Sequence, residues 1–175
     1  VREAVIQLSE ESRIIEIFPQ RGMRIALIDV ELVEEARFLR LVLEKAAVEL
    51  VCGQADEEDL RWLDENIRLQ EFYLEGGSSQ KLLELDNKMH RKLFSICRKE
   101  LTYEMCQRLA IHYDRIRSLS VATVKDHKII EDHKKLLEAI RRRDKKQAVE
   151  IMELHLNRWM LNEQMFRNRY PAYFK

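Results

Sequence analysis

Leu82-Leu83-Glu84-Leu85-Asp86-Asn87-Lys88-Met89-His90-Arg91-Lys92-Leu93-Phe94 decides how the chain is read. Its apolar residues recur at steps of three and four, the period of a helix with one face in a core. Asp86 and His90 stand four apart, so both side chains leave that helix on one face. His90 has Leu82 or Leu83 above it and Leu93 and Phe94 below. A carboxylate and an imidazole set among leucines need partners, because an unpaired polar group in apolar surroundings is costly.

Two more histidines share this setting. His133 has Ile129, Leu136, Leu137 and Ile140 at helical neighbour positions, and His155 has Ile151, Met152 and Trp159. They are 22 residues apart, with Arg141-Arg142-Arg143-Asp144-Lys145-Lys146 between them. If that polar run is the turn of a helical hairpin, Asp144 lies midway and the two histidines sit at one height. Three imidazoles and one carboxylate on inward-facing helices suit a borderline divalent ion: zinc, nickel or manganese. Four protein ligands close a tetrahedral site but leave positions open in an octahedral one, where water or a small carboxylate can bind. The alternative is three core histidines, each with its own hydrogen-bond partner, and spacing leaves both readings open.

Working outward, the 175 residues suffice for one full domain and part of another. The chain starts at Val1 without a methionine, so upstream sequence is expected. Four glycines and two prolines are few turn residues, which points to a helical protein with short connections. No apolar run of about 18 residues and no signal-peptide pattern occurs, so no membrane partner is expected. Cys52, Cys97 and Cys106 are odd in number and lack a CxxC spacing, which excludes a disulfide framework and suits a reducing cytoplasm. Net charge is zero, which excludes a wholly basic nucleic-acid binder but not a local DNA-binding surface.

Val1 to Glu11 reads as the end of a helix. Ile14-Ile15-Glu16-Ile17-Phe18, Pro19-Gln20-Arg21-Gly22 and Met23-Arg24-Ile25-Ala26-Leu27-Ile28 read as strand, turn and strand, with Gly22 supplying the turn. From Asp29 on, six helices are expected. Asp29 caps the first, whose stripe is Leu32, Ala36, Leu39, Leu43, Ala46 and Leu50, ending at Gly53. Asp56 opens the second, with Leu60, Leu63, Ile67 and Leu74 as its core face. The third follows Gly76-Gly77-Ser78-Ser79 and carries Asp86 and His90. The fourth starts near Leu101, with a stripe of Leu101, Met105, Leu109, His112, Ile116 and Leu119. The fifth, from about Asp126 to Arg142, carries His133, and the sixth, from about Lys145 to Asn168, carries His155. His112 is a core histidine or points into a ligand cavity, and His127 faces elsewhere.

These pieces resemble a family. Val1-Arg2-Glu3-Ala4-Val5 followed by Phe18-Pro19-Gln20-Arg21-Gly22 looks like the recognition helix and wing of GntR-type bacterial transcription regulators. Asp86-x3-His90, Asp132-His133 with Leu137-x-Ala139-Ile140, and Ala148, Met152 and His155 resemble the FCD ligand-binding domain of their FadR subfamily, and six helices resemble its VanR-like branch. The resemblance implies a mainly α fold: residues 1–29 as the C-terminal part of a winged helix-turn-helix, and residues 30–175 as a six-helix antiparallel, FCD-like bundle. It implies that Asp86, His90, His133 and His155 hold a metal, that Arg40 greets an acidic effector, and that Arg2, Arg21 and Gly22 meet DNA; His112, from its place on the apolar face, is a further candidate effector contact. A homodimer on operator DNA, a small carboxylate metabolite and a repressor's role in the cytoplasm follow. The chain departs from the family at Arg98-Lys99-Glu100 and Arg143-Asp144, where glycine is common, and at the Ser12-Arg13 connection, which lacks the usual glycine and is one residue too long.

Two other classes compete. A metal-dependent hydrolase on a helical bundle needs a general base near the ion, for which Glu131 and Asp132 are nearest in sequence, and it leaves residues 14–28 unexplained. A helical interaction module needs no metal. The regulator accounts for both ends of the chain, so no catalytic residues are expected.

Overall fold

The described residues of the computed structural model are 3, 5–6, 9–10, 13–123, 127–158, 160 and 163–175. Arg2 and Trp159 lie outside them. Glu3, Val5, Ile6, Ser9 and Glu10 are helical. An antiparallel hairpin follows, β1 (Ile15–Phe18) and β2 (Gly22–Ile25), in register from Ile15 opposite Ile25 to Phe18 opposite Gly22. At its exposed tip Gly22 has φ 100°, a left-handed backbone that costs glycine no strain.

The rest of the described chain is helical: α1 (Val30–Gln54), α2 (Glu57–Glu75), α3 (Ser79–Ile96), α4 (Glu100–Leu109), α5 (Ile111–Thr123), α6 (His127–Arg141), α7 (Lys145–Asn157), α8 (Glu163–Arg169) and a 3₁₀ turn at Pro171–Tyr173. The expected class holds, a helical bundle behind a two-stranded hairpin, while two of the six expected helices are each split. The fourth breaks at Ala110, fully buried, whose N–H turns back to the Gln107 carbonyl. The break rotates the chain, so that α4 buries Tyr103 and Cys106 and leaves Leu101, Met105 and Leu109 outside. The sixth ends at Asn157, and Glu163–Arg169 is separate.

α1 packs on α7, α3 and α5, α2 on α3 and α6, and α6 on α7. Asp29 caps α1 by accepting from the Glu31 N–H at 3.1 Å. The buried face of α1 is Val33, Ala36, Arg40, Glu44, Ala47, Val48 and Val51, rotated from the stripe the apolar pattern gives. The rotation is possible because Arg40 and Glu44 neutralise each other, Nε to Oε1 at 2.7 Å, inside the core. The main core joins α1, α2, α3, α6 and α7 around Val51, Leu63, Met89, Leu93, Leu136 and Met152. A second cluster joins the linker residue Ile28 to Val33, Tyr113, Ile116, Phe166 and Phe174. There Ile28 forms a parallel bridge to Phe174, and Lys175 Nζ meets Asp29 Oδ2 at 2.9 Å. Among the described residues, no helix is long and apolar enough to cross a membrane.

Candidate metal centre

Asp86 and His90 project from α3, His133 from α6 and His155 from α7. One ligand atom from each lies within 4.8 Å of all the others, the one such cluster among the described residues. His155 Nε2 is 3.4 Å from His133 Nε2 and 3.3 Å from His90 Nε2, and His133 Nε2 is 3.4 Å from Asp86 Oδ1. Two ligands bound at about 2.1 Å with a tetrahedral angle stand roughly 3.4 Å apart, so this spacing fits a shared ion.

The surrounding hydrogen bonds fix which nitrogens face inward. His90 Nδ1 touches Glu44 Oε2, and His133 Nδ1 is 2.9 Å from Gln70 Oε1. Gln70 is itself oriented, because its Nε2 donates to Asn66 Oδ1 at 2.7 Å and Asn66 donates to the Leu85 carbonyl. Both Nδ1 atoms therefore carry the proton, and both Nε2 atoms turn a lone pair to the centre. Asp86 Oδ1 adds a third acceptor. His155 can supply one proton at most, so the centre is rich in acceptors and short of a cation. His155 Nδ1 is buried without a hydrogen-bond partner among the described residues, with Asp132 Oδ2 at 3.9 Å. Core histidines satisfied one by one do not produce this arrangement.

Burial pulls His133 down to about 4, against the opposing pull of Asp86. Burial also takes His155 well below its usual value, helped by its two neighbouring imidazoles. Neutral imidazoles are the form that binds metal. Burial would raise Asp86, but Arg117 and the histidines hold it well below the usual carboxylate range. Glu44 is likewise pulled down to about 2, burial being overcome by Arg40 and His90.

A cavity of about 60 Å³ opens beside the centre. Asp86, His155, Tyr113, Arg117 and Arg158 line it on one side, with Leu82, Val121 and Ile129 among its apolar walls. Arg117 bonds Asp86 Oδ2, Asp114 Oδ1 (2.7 Å) and Asn87 Oδ1 (2.8 Å), and Arg158 Nη2 reaches Asp132 Oδ1 at 2.6 Å.

The structure thus brings Asp86, His90, His133 and His155 together as their spacing requires. It places the two expected effector contacts elsewhere. Arg40 is buried between Glu44 and the Tyr113 ring (5.1 Å to the centroid) and does not line the cavity. His112 belongs to a different cleft of about 340 Å³, between hairpin and bundle, with Arg13, Glu16, Asp29 and Lys175. Arg21 and Gly22 are exposed at the hairpin tip. Sequence reasoning did not single out Arg117, Arg158 or Gln70. Arg158 lies three residues past His155, a usable signal, but nothing in the pattern marks the other two.

Residues 35–158 match the FCD domain family. The chain is 28% identical over 157 residues to the HTH-type transcriptional repressor RspR of Escherichia coli strain K12, covering 89% of this chain and 68% of that protein. It is 26% identical over 163 residues to the HTH-type transcriptional regulator YdhC of Bacillus subtilis strain 168, covering 90% and 70%. Its fold resembles that of E. coli McbR/YncC, with a TM-score of 0.82, 18% identity, and coverage of 97% of this chain and 84% of that one. Streptococcus agalactiae GntR follows with a TM-score of 0.58, 24% identity, and coverage of 89% and 77%.

Proposed function

The chain belongs to the FCD-domain family of GntR-type transcription regulators, and from that premise we propose that its helical domain holds one divalent ion, zinc, nickel or manganese, and a small carboxylate effector. Asp86, His90, His133 and His155 are the ligands. The observation that carries this reading is that the Nε2 atoms of His90 and His133, each backed by an acceptor at its own Nδ1, converge with His155 Nε2 and Asp86 Oδ1.

A bound divalent ion would give the effector's carboxylate a positive charge and an open coordination position. Arg117 and Arg158 line the adjoining cavity; Arg117 is held by Asp86, Asp114 and Asn87 and Arg158 by Asp132, so an effector carboxylate would meet them by joining or displacing those partners. The apolar wall of Leu82, Val121 and Ile129 takes the rest of the molecule, and the cavity's size limits it to a few heavy atoms. In this reading Arg117 and Arg158 take the part first given to Arg40 and His112. Effector binding biases a homodimer between two arrangements of its DNA-binding domains, which requires the effector to prefer one of them. Operator DNA is then read by the winged domain in the cytoplasm. The matched relatives are named as transcription regulators, which favours this reading over a hydrolase.

Elemental analysis of the purified chain tests the site. We expect about one ion per chain, lost in the double variant His133→Ala, His155→Ala. Zinc at about a hundredfold excess over its Kd should raise the wild-type Tm by roughly 5–10 °C and leave the variant unmoved. No ion in the wild type after incubation with zinc, nickel and manganese would overturn the metal reading.

A further inference from the structure

Helix α5 touches both the cavity and the hairpin junction, and it does so with different faces. Tyr113, Arg117, Ser120 and Val121 line the cavity beside the metal ligands. Arg117 is the direct link, because it bonds Asp86 Oδ2 while Oδ1 of the same carboxylate faces His133. Three residues apart on another face stand His112 and Arg115. His112 Nδ1 accepts from the Asp29 N–H at 3.4 Å, where the linker enters α1. Arg115 Nη1 donates to the Ala26 carbonyl at 2.8 Å, immediately after β2. Ile116 packs between them with Ile28, Phe166 and Phe174.

Resting on the metal-and-effector reading above, we infer that α5 carries the charge state of the cavity to the hairpin, with Arg117 sensing Asp86 and with His112 and Arg115 as positioning residues for the linker. The contacts at both ends of the helix support this. A half-buried Arg117 shared by Asp86, Asp114 and Asn87 must rebalance when the charge on Asp86 is engaged elsewhere. A helix moves as a rigid unit, so a shift at Arg117 displaces Arg115 two residues away. The break at Ala110 makes α5 a helical segment of its own, separate from α4. Both contacts on the hairpin side are to backbone, so they hold the position of residues 26–29 whatever side chains those residues carry.

Hydrogen-exchange mass spectrometry on the 175-residue chain, with zinc as the only probe, tests the link. Residues 23–29 should change their exchange by about fivefold or more when zinc is added, the low end of coupling between two sites. In Arg115→Gln the zinc-dependent change should be lost, while one zinc per chain still binds by calorimetry. His112→Gln gives the same readout should Arg115→Gln fold poorly. Zinc binding with no change at residues 23–29 in the wild type overturns the coupling and leaves the metal site standing. A change that persists at full size in both variants also overturns it, since the path then avoids α5. Absence of zinc binding overturns the site and this inference with it.

Discussion

A metal-binding histidine is aimed by whatever its second nitrogen touches. Glu44 and Gln70 hold His90 and His133 in this way, from helices α1 and α2 that supply no ligand themselves. Gln70→Ala should therefore weaken zinc binding about 10–100-fold without changing the count of one ion per chain, as read by competition with a chromophoric chelator. An affinity equal to the wild type would mean that His133 needs no such support. The clustering of the four proposed ligands was legible in the sequence because each relation is local or nearly so: Asp86 and His90 share a helix face, and a single hairpin sets His133 against His155. Gln70 was not legible. A glutamine bonded to a histidine 63 residues away looks, in sequence, like one facing water. Arg40, expected from the resemblance to meet an effector, is paired with Glu44 and stacked on the Tyr113 ring and does not line the cavity, which its sequence neighbours do not reveal.

At the scale of elements, three helices end in one hydrogen-bond pattern. After α2, Ser78 N–H reaches the Tyr73 carbonyl and Gly77 N–H the Leu74 carbonyl. After α3, Lys99 pairs with Phe94 and Arg98 with Ser95, and after α6, Asp144 pairs with Ala139 and Arg143 with Ile140. This termination puts one residue in the left-handed region: Gly77 at φ 74°, but Arg98 at 57° and Arg143 at 56°. That backbone costs an L-residue roughly 1–2 kcal/mol, part of which glycine gives back through its freer unfolded chain. Arg98→Gly and Arg143→Gly should each stabilise the chain by about 0.5–1 kcal/mol, seen as a higher urea midpoint with an unchanged slope. A lower midpoint would show that these arginine side chains contribute more than their backbone costs. Both positions stand where the resemblance expected glycine, so the sequence located the turns. It did not locate the break at Ala110, because the stripe Leu101, Met105, Leu109 continues unbroken into α5 and the residue that interrupts it is a small alanine.

At the scale of the whole molecule, groups that burial keeps neutral are spread through the bundle. Burial raises all three thiols, Cys106 to about 11 from its usual 9.0, and raises Tyr103 to about 12. A folded-state value above the unfolded one means stability that is complete below pH 9 and lost as pH climbs towards 11. At about 1.4 kcal/mol per unit, Cys106 alone accounts for a loss on the order of 2 kcal/mol. Urea unfolding of the metal-free chain at pH 8 and pH 10.5 measures it, and equal stabilities would mean that the interior accepts thiolates. The order of helices and the hairpin before them followed from apolar period and turn residues, whereas the azimuth of α1 did not, since a mutually neutralised Arg40 and Glu44 count as surface in any pattern.

The bridge between Ile28 and Phe174, with Lys175 on Asp29, ties together residues 146 positions apart. During translation the hairpin and linker leave the ribosome long before residues 171–175. The main core draws on none of those late residues, so the bundle can assemble while the linker is still unlatched. A nascent regulator would thus build the core around the cavity before its hairpin is clamped.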